Sequence, residues 1–170
     1  MTVATRIDWD QWRAEYDWMT FRQHQEFNAR VAEQHPSQRQ SNPDAVRGFL
    51  NHRDHASVVE LGGWDGWLAE QILGRDDSIV TWVNYDITPN VPQVCHRDEY
   101  QKVTLIDWPW NCHITADVLI ASHVFEHMRI SEVEKLVREW DVDAIYVDIP
   151  VGDHVDWRGY EGTHIIEVGW

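Results

Sequence analysis

Two stretches of this chain have residue types and spacings suited to chemistry. The first is Ser57-Val-Val-Glu-Leu-Gly-Gly-Trp-Asp-Gly-Trp67. Three β-prone residues, Val58, Val59 and Leu61, run into Gly62, Gly63 and Gly66, and a helix-compatible run over 67–73 follows. Glycines let a backbone approach a ligand closely, and the start of a helix offers free N–H groups. Such a strand–loop–helix can cradle a nucleotide-like molecule. Asp86 lies 20 residues beyond Gly66, and an acid at about that distance is placed to accept hydrogen bonds from ribose hydroxyls. The second stretch is Ser122-His-Val-Phe-Glu-His127. His123, Glu126 and His127 stand at i, i+3 and i+4, which share one helical face, so two imidazoles and a carboxylate can converge. A near-neutral imidazole such as His127 can act as a general base. The same trio can hold a divalent ion that lowers the pKa of a substrate hydroxyl.

These residues need elements to position them. Over 7–34, Ile7, Trp9, Trp12, Tyr16 and Met19 recur at three- and four-residue steps and predict a helix, either packed on the domain or closing over its site. With the polar, proline-bounded linker at 35–43 it forms an N-terminal segment, residues 1–42, ahead of a cofactor-binding domain at 43–170. Pro43 opens a short helix to residue 52. Strands are expected through Val58–Leu61, over 79–85 ending at Asp86, over 103–106 ending at Asp107, over 117–121 running into Ser122, and over 144–149 before Pro150. A helix is expected over 130–140, and 164–168 reads as a sixth strand or a helix entry. Near-continuous apolar strands alternating with helices predict an α/β, doubly wound, mostly parallel sheet covered on both faces. Ligands on such a sheet bind outside the carboxyl ends of the strands, where the strand order reverses. Glu60 to Gly63, Asp86, Asp107, Ser122 and His123 all fall at such ends.

Composition narrows the partners. Lys plus Arg number 14 and Asp plus Glu 29, a net charge of −15. A protein that grips nucleic acid by its phosphates needs a basic surface, so nucleic acid is not the expected partner. Two cysteines without paired spacing, Cys95 and Cys112, argue against a disulfide framework and fit a reducing cytoplasm. No window approaches the ~18 apolar residues of a membrane span, and residues 1–20 lack the apolar core of a signal peptide.

On these residues the chain resembles the class I S-adenosylmethionine-dependent methyltransferases, which have a Rossmann-like core. Val58 to Gly66 resembles the family's first motif, an acid followed by Gly-x-Gly-x-Gly, with Trp64 at the central glycine position. Tyr85-Asp-Ile87 resembles the second motif, Ile106-Asp-Trp-Pro109 the third, and 116–128 the fourth. The resemblance implies that Glu60 reaches the cofactor's amino group, Gly62, Gly63 and Gly66 lie along it, and Asp86 with Ile87 holds the ribose. Asp107 and Trp108 would contact adenine, and Ser122 the methionine end. It also implies a helix and a final β-hairpin past the fifth strand, and Trp170 falls where these would begin, so either a truncated chain or a shortened core without the hairpin is expected. Some metal-dependent members carry Glu-x-x-Glu-His at the fourth motif and a histidine downstream. Here His123 replaces the first Glu, and His164 or His154 would be the distant ligand. As bare text the turn is also the inverted zinc-peptidase pattern His-x-x-Glu-His.

The function expected is S-adenosylmethionine-dependent methyl transfer to a hydroxyl, amine or carbon nucleophile of a small molecule or sugar. His123, Glu126 and His127 would line the catalytic side, with or without a divalent metal. The alternatives are a non-catalytic nucleoside-binding or interaction domain of the same fold, and a metal-dependent hydrolase using His123, Glu126 and His127.

Overall fold

Asn42 sets the first helix. Its Oδ1 accepts from the N–H groups of Asp44 (3.1 Å) and Ala45 (3.2 Å), and Pro43 supplies a pre-set φ at the first helical position. Helix α1 (Pro43–Leu50) then buries Val46, Phe49 and Leu50, an i, i+3, i+4 stripe. The computed structural model describes Glu26 and residues 41–52, 55–88, 90–105, 113–125 and 130–148. The helix expected over 7–34, the linker and the element expected at 164–168 lie outside the described residues.

After α1 come β1 (Ser57–Leu61), α2 (Trp67–Leu73), β2 (Thr81–Asp86), β3 (Tyr100–Thr104), β4 (Thr115–Ser122), α3 (Ile130–Glu139) and β5 (Asp141–Asp148). The five strands form one parallel sheet in the order β3-β2-β1-β4-β5. α1 and α2 cover one face, where Val46, Phe49, Leu68 and Ile72 meet Val58, Trp82, Val118, Ile120 and Tyr146. Leu136 of α3 covers the other, against Val59, Leu61, Leu119, Ala121 and Ile145. The doubly wound, Rossmann-like α/β class is therefore observed. Each such aliphatic side chain contributes roughly 1.5–3 kcal/mol on full burial, which makes these two layers the main stabilising term.

The third strand differs from expectation. It runs Tyr100–Thr104 rather than 103–106, because an edge strand with one neighbour stays half-buried and tolerates Gln101 and Lys102. β5 begins at Asp141, three residues before the expected start, where Asp141 and Asp143 face solvent.

Side chains alternate across a strand, so the register sorts the α1–α2 face into rows. Nearest the amino ends lie Tyr100, Trp82, Val58, Val118 and Ala144. The next row is Lys102, Asn84, Glu60, Ile120 and Tyr146. The last holds Thr104, Asp86, Ser122 and Asp148, with Gly62 just past the end of β1. The face passes from apolar to polar toward the carboxyl ends, whereas the α3 face runs the other way, from Ser57 and Asp117 at the amino ends to Leu61 and Ala121 at the carboxyl ends. Reciprocal bonds lock β1 to β4 at the opposite end: Ser57 N–H donates to Asp117 Oδ2 (2.7 Å), and Asp117 N–H to Ser57 Oγ (2.9 Å). No helix among the described residues is long and apolar enough to cross a membrane.

Candidate functional site

The chain leaves β1 at Leu61 and enters α2 within six residues. Gly62 and Gly66 take left-handed conformations, φ +67° and +76°. Gly63 is required for a different reason: a Cβ there would lie 2.3–2.6 Å from the carboxyl atoms of Glu60. Trp64 is left-handed too (φ +48°) without glycine's freedom, which costs about 1–2 kcal/mol. Both of its backbone groups are held. Its N–H donates to Asp86 Oδ2 (2.8 Å). Its carbonyl accepts from Lys102 Nζ (2.8 Å), Asn84 Nδ2 (3.4 Å) and Gln93 Nε2 (3.4 Å). Asn84 Oδ1 also accepts from Gly63 N–H (3.0 Å), and Asn84 Nδ2 donates to the Tyr100 hydroxyl (3.0 Å), which donates to Gln93 Oε1 (2.7 Å).

The acids of this edge differ in charge. Glu60 is 2% exposed. Burial pushes its carboxyl up to about 8; the bond from Trp82 Nε1 (2.9 Å) opposes that, and the charges of Asp86 and Asp65 add to it. Glu60 therefore carries a proton at neutral pH. Asp86 is buried; besides Trp64 N–H, its Oδ1 accepts from Thr88 N–H (2.6 Å), and its carbonyl accepts from Leu105 N–H (2.8 Å). One lone-pair site on each carboxylate oxygen is left over from these two amide bonds. Ile87, half-buried, follows directly. Desolvation pulls the Lys102 ammonium below its ordinary value, against the charges of Asp86 and Asp65.

At the end of β4, Ser122 is buried and its Oγ has no hydrogen-bond partner among the described residues. His123 is left-handed (φ +57°), and its N–H donates to the Asp148 carbonyl (2.7 Å). A Cβ on Gly62 would lie 2.6 Å from Val124 Cγ2, so the β4 end abuts the glycine loop.

Glu60, Gly62, Gly63, Gly66, Asp86, Ile87, Ser122 and His123 thus share the carboxyl edge of β1, β2 and β4. Asp107, Trp108, Glu126, His127, His154 and His164 lie outside the described residues. Sequence reasoning missed Asn84, Lys102, Tyr100, Gln93 and Asp148. Two signals pointed to some of them: Asn84 interrupts an apolar strand, and Asp148 ends β5 as Asp86 ends β2.

A Ser–His–Asp cluster at the other end of the sheet is no nucleophilic site. Ser78 Oγ and Asp76 Oδ2 both meet the same ring nitrogen, His55 Nε2, at 2.8 Å. A relay needs the hydroxyl and the carboxylate on opposite nitrogens.

The order β3-β2-β1-β4-β5, with a glycine loop where it reverses between β1 and β4, is a Rossmann-like order that the class I S-adenosylmethionine-dependent methyltransferase fold shares. No family model matches the sequence, and no curated protein sequence matches it. Solved structures do. The fold is similar to the methyltransferase domain of bacterial CtHen1-C, with a TM-score of 0.53 and 14% identity over 71% of this chain and 73% of that one. It is also similar to a structure of the complex between the Haloferax volcanii Trm112 methyltransferase activator and a methyltransferase, with a TM-score of 0.54 and 15% identity over 84% and 68%. Against the bacterial CtHen1-CN methyltransferase domain (TM-score 0.49, 15% identity, 62% of this chain), the chain spans 63% of the neighbour's length.

Proposed function

We propose that this chain binds S-adenosylmethionine across the carboxyl edge of β1 and β4 and directs methyl transfer to a hydroxyl, amine or carbon nucleophile of a small molecule or sugar. The observation that carries the reading is the coupling of the Gly62–Gly66 loop to Asp86, at the point where the strand order reverses. The residues present fit the cofactor. Gly62 is exposed. The lone-pair sites left on Asp86 match the two hydroxyls of a ribose, and the buried Ser122 Oγ is a polar atom in want of a partner.

The cofactor would supply an already activated methyl group on its sulfonium, so the protein's part is alignment and exclusion of water. Asp86 would hold the ribose and Gly62 would let the backbone lie close to the methionine part. Ser122 and His123 would border the acceptor, with Glu126 and His127 the candidates to take its proton. Glu60 acts through the loop, since its carboxyl lies beneath Gly63.

A second reading, a non-catalytic nucleoside-binding domain, is favoured by Trp64, whose bulk stands at the family's central glycine position. Calorimetry with S-adenosylmethionine and S-adenosylhomocysteine tests both. Binding is expected, and Asp86→Ala is expected to abolish it; no binding at millimolar ligand would sink the proposal. Binding with no homocysteine release across a screen of acceptor classes would favour the second reading.

A further inference from the structure

We infer that Lys102 is a positioning residue for the nucleoside loop: it grips the Trp64 carbonyl and so lets a tryptophan occupy a left-handed position. The inference rests on the reading of that loop as the S-adenosylmethionine site. A bulky residue in this conformation persists only where its surroundings over-determine it. Trp64 meets that condition from both sides, with its N–H on Asp86 and its carbonyl on three donors.

The three donors are unequal. Asn84 and Gln93 reach the carbonyl at 3.4 Å, whereas Lys102 Nζ is at 2.8 Å and brings a formal charge. Charge-assisted bonds are roughly twice as strong as neutral ones. Lys102 is also aimed by the sheet itself. It pairs with Asn84, which pairs with Glu60, so three polar side chains of one row lie under the loop. The half-buried ammonium gives up water to sit there, a loss that the nearby charges of Asp86 and Asp65 offset only in part. Without Lys102 only the two long bonds remain on the carbonyl. The backbone at Trp64 is then free to leave the left-handed region, which removes its N–H from Asp86 and alters the surface the ligand meets.

The test compares the full chain with K102M, W64G and W64G/K102M by two readouts. One is amide hydrogen exchange at Trp64 (position 64) and Gly63; the other is affinity for S-adenosylhomocysteine by calorimetry. K102M is expected to speed exchange at position 64 and to weaken binding, each by about tenfold. Glycine enters a left-handed φ without strain, so adding K102M to W64G is expected to change both by less than about twofold. Unchanged exchange in K102M, or equal losses in both backgrounds, would overturn the inference. Should K102M not fold, W64G/K102M is expected to fold, and its failure would overturn the inference too. If the wild type binds no S-adenosylhomocysteine while the exchange pattern appears, the site reading fails and the hold of Lys102 on the loop stands.

Discussion

Glu60→Gln removes a buried proton-binding group while keeping its shape and an acceptor for Trp82 Nε1. Its effect is a pH dependence with a definite sign. In the folded protein the Glu60 carboxyl titrates near 8, against an ordinary value of 4.5. Below 4.5 both folded and unfolded chains carry the proton, and the group adds nothing. Between 4.5 and about 8 the folded protein binds one proton more than the unfolded chain, so the free energy of unfolding falls by about 1.4 kcal/mol per pH unit. Above 8 both are ionised and the loss levels off, having reached about 5 kcal/mol in all. Glutamine has no such term. Urea or guanidinium unfolding of both proteins from pH 5 to 9 should show E60Q gaining steadily on the wild type up to pH 8, then holding its lead. Parallel curves, or a lead that grows on acidification, would refute the reasoning and mean that Glu60 sits ionised beneath the loop.

Gly63→Ala should destabilise the protein by about 1–3 kcal/mol, because the new methyl would meet a Glu60 carboxyl that Trp82 holds in place; the shift in denaturation midpoint measures it, and a neutral result would mean the loop moves freely. At the far end of the sheet, partial burial raises the Asp76 carboxyl, but bonds from Ser78 and His55 outweigh that and hold it below its ordinary value. A depressed folded value stabilises above the ordinary carboxylate range and is lost as pH falls through it. Asp76→Asn should therefore be less stable than the wild type near neutrality and converge with it in acid, which unfolding curves from pH 3 to 7 would test.

The order of elements was legible because the central strands are apolar on both faces, and such runs stand out in a sequence. Val58, Val59 and Leu61, like Val118 to Ala121, read as strands since no other element needs them. The edge strand did not, because half its side chains stay in water and only Val103 marks it. Within the site, the loop and Asp86 were legible through spacing, which depends only on chain length between β1 and β2. The polar row beneath the loop was not. Lys102, Asn84 and Glu60 are 18 and 24 residues apart, and only the register of two strand pairs brings them abreast. Gln93 and Tyr100 join them through side-chain bonds whose partners no local pattern encodes.

That row also bears on how a ligand would gain affinity here. Its polar groups bond the loop rather than standing free to meet a ligand: Asn84 holds Gly63, Lys102 holds Trp64, and Glu60 underlies Gly63. Ordering a flexible chain costs about 1–2 kcal/mol per residue in backbone entropy, and a loose loop would impose that on binding across Gly62 to Gly66. Here folding imposes it instead, so a nucleoside would meet a surface already set, the condition under which contacts appear as affinity rather than being offset by ordering. Trp64 fits the same logic. A glycine at that position would leave the loop more states to lose, and the bonds that confine the tryptophan to one conformation are those that confine the loop.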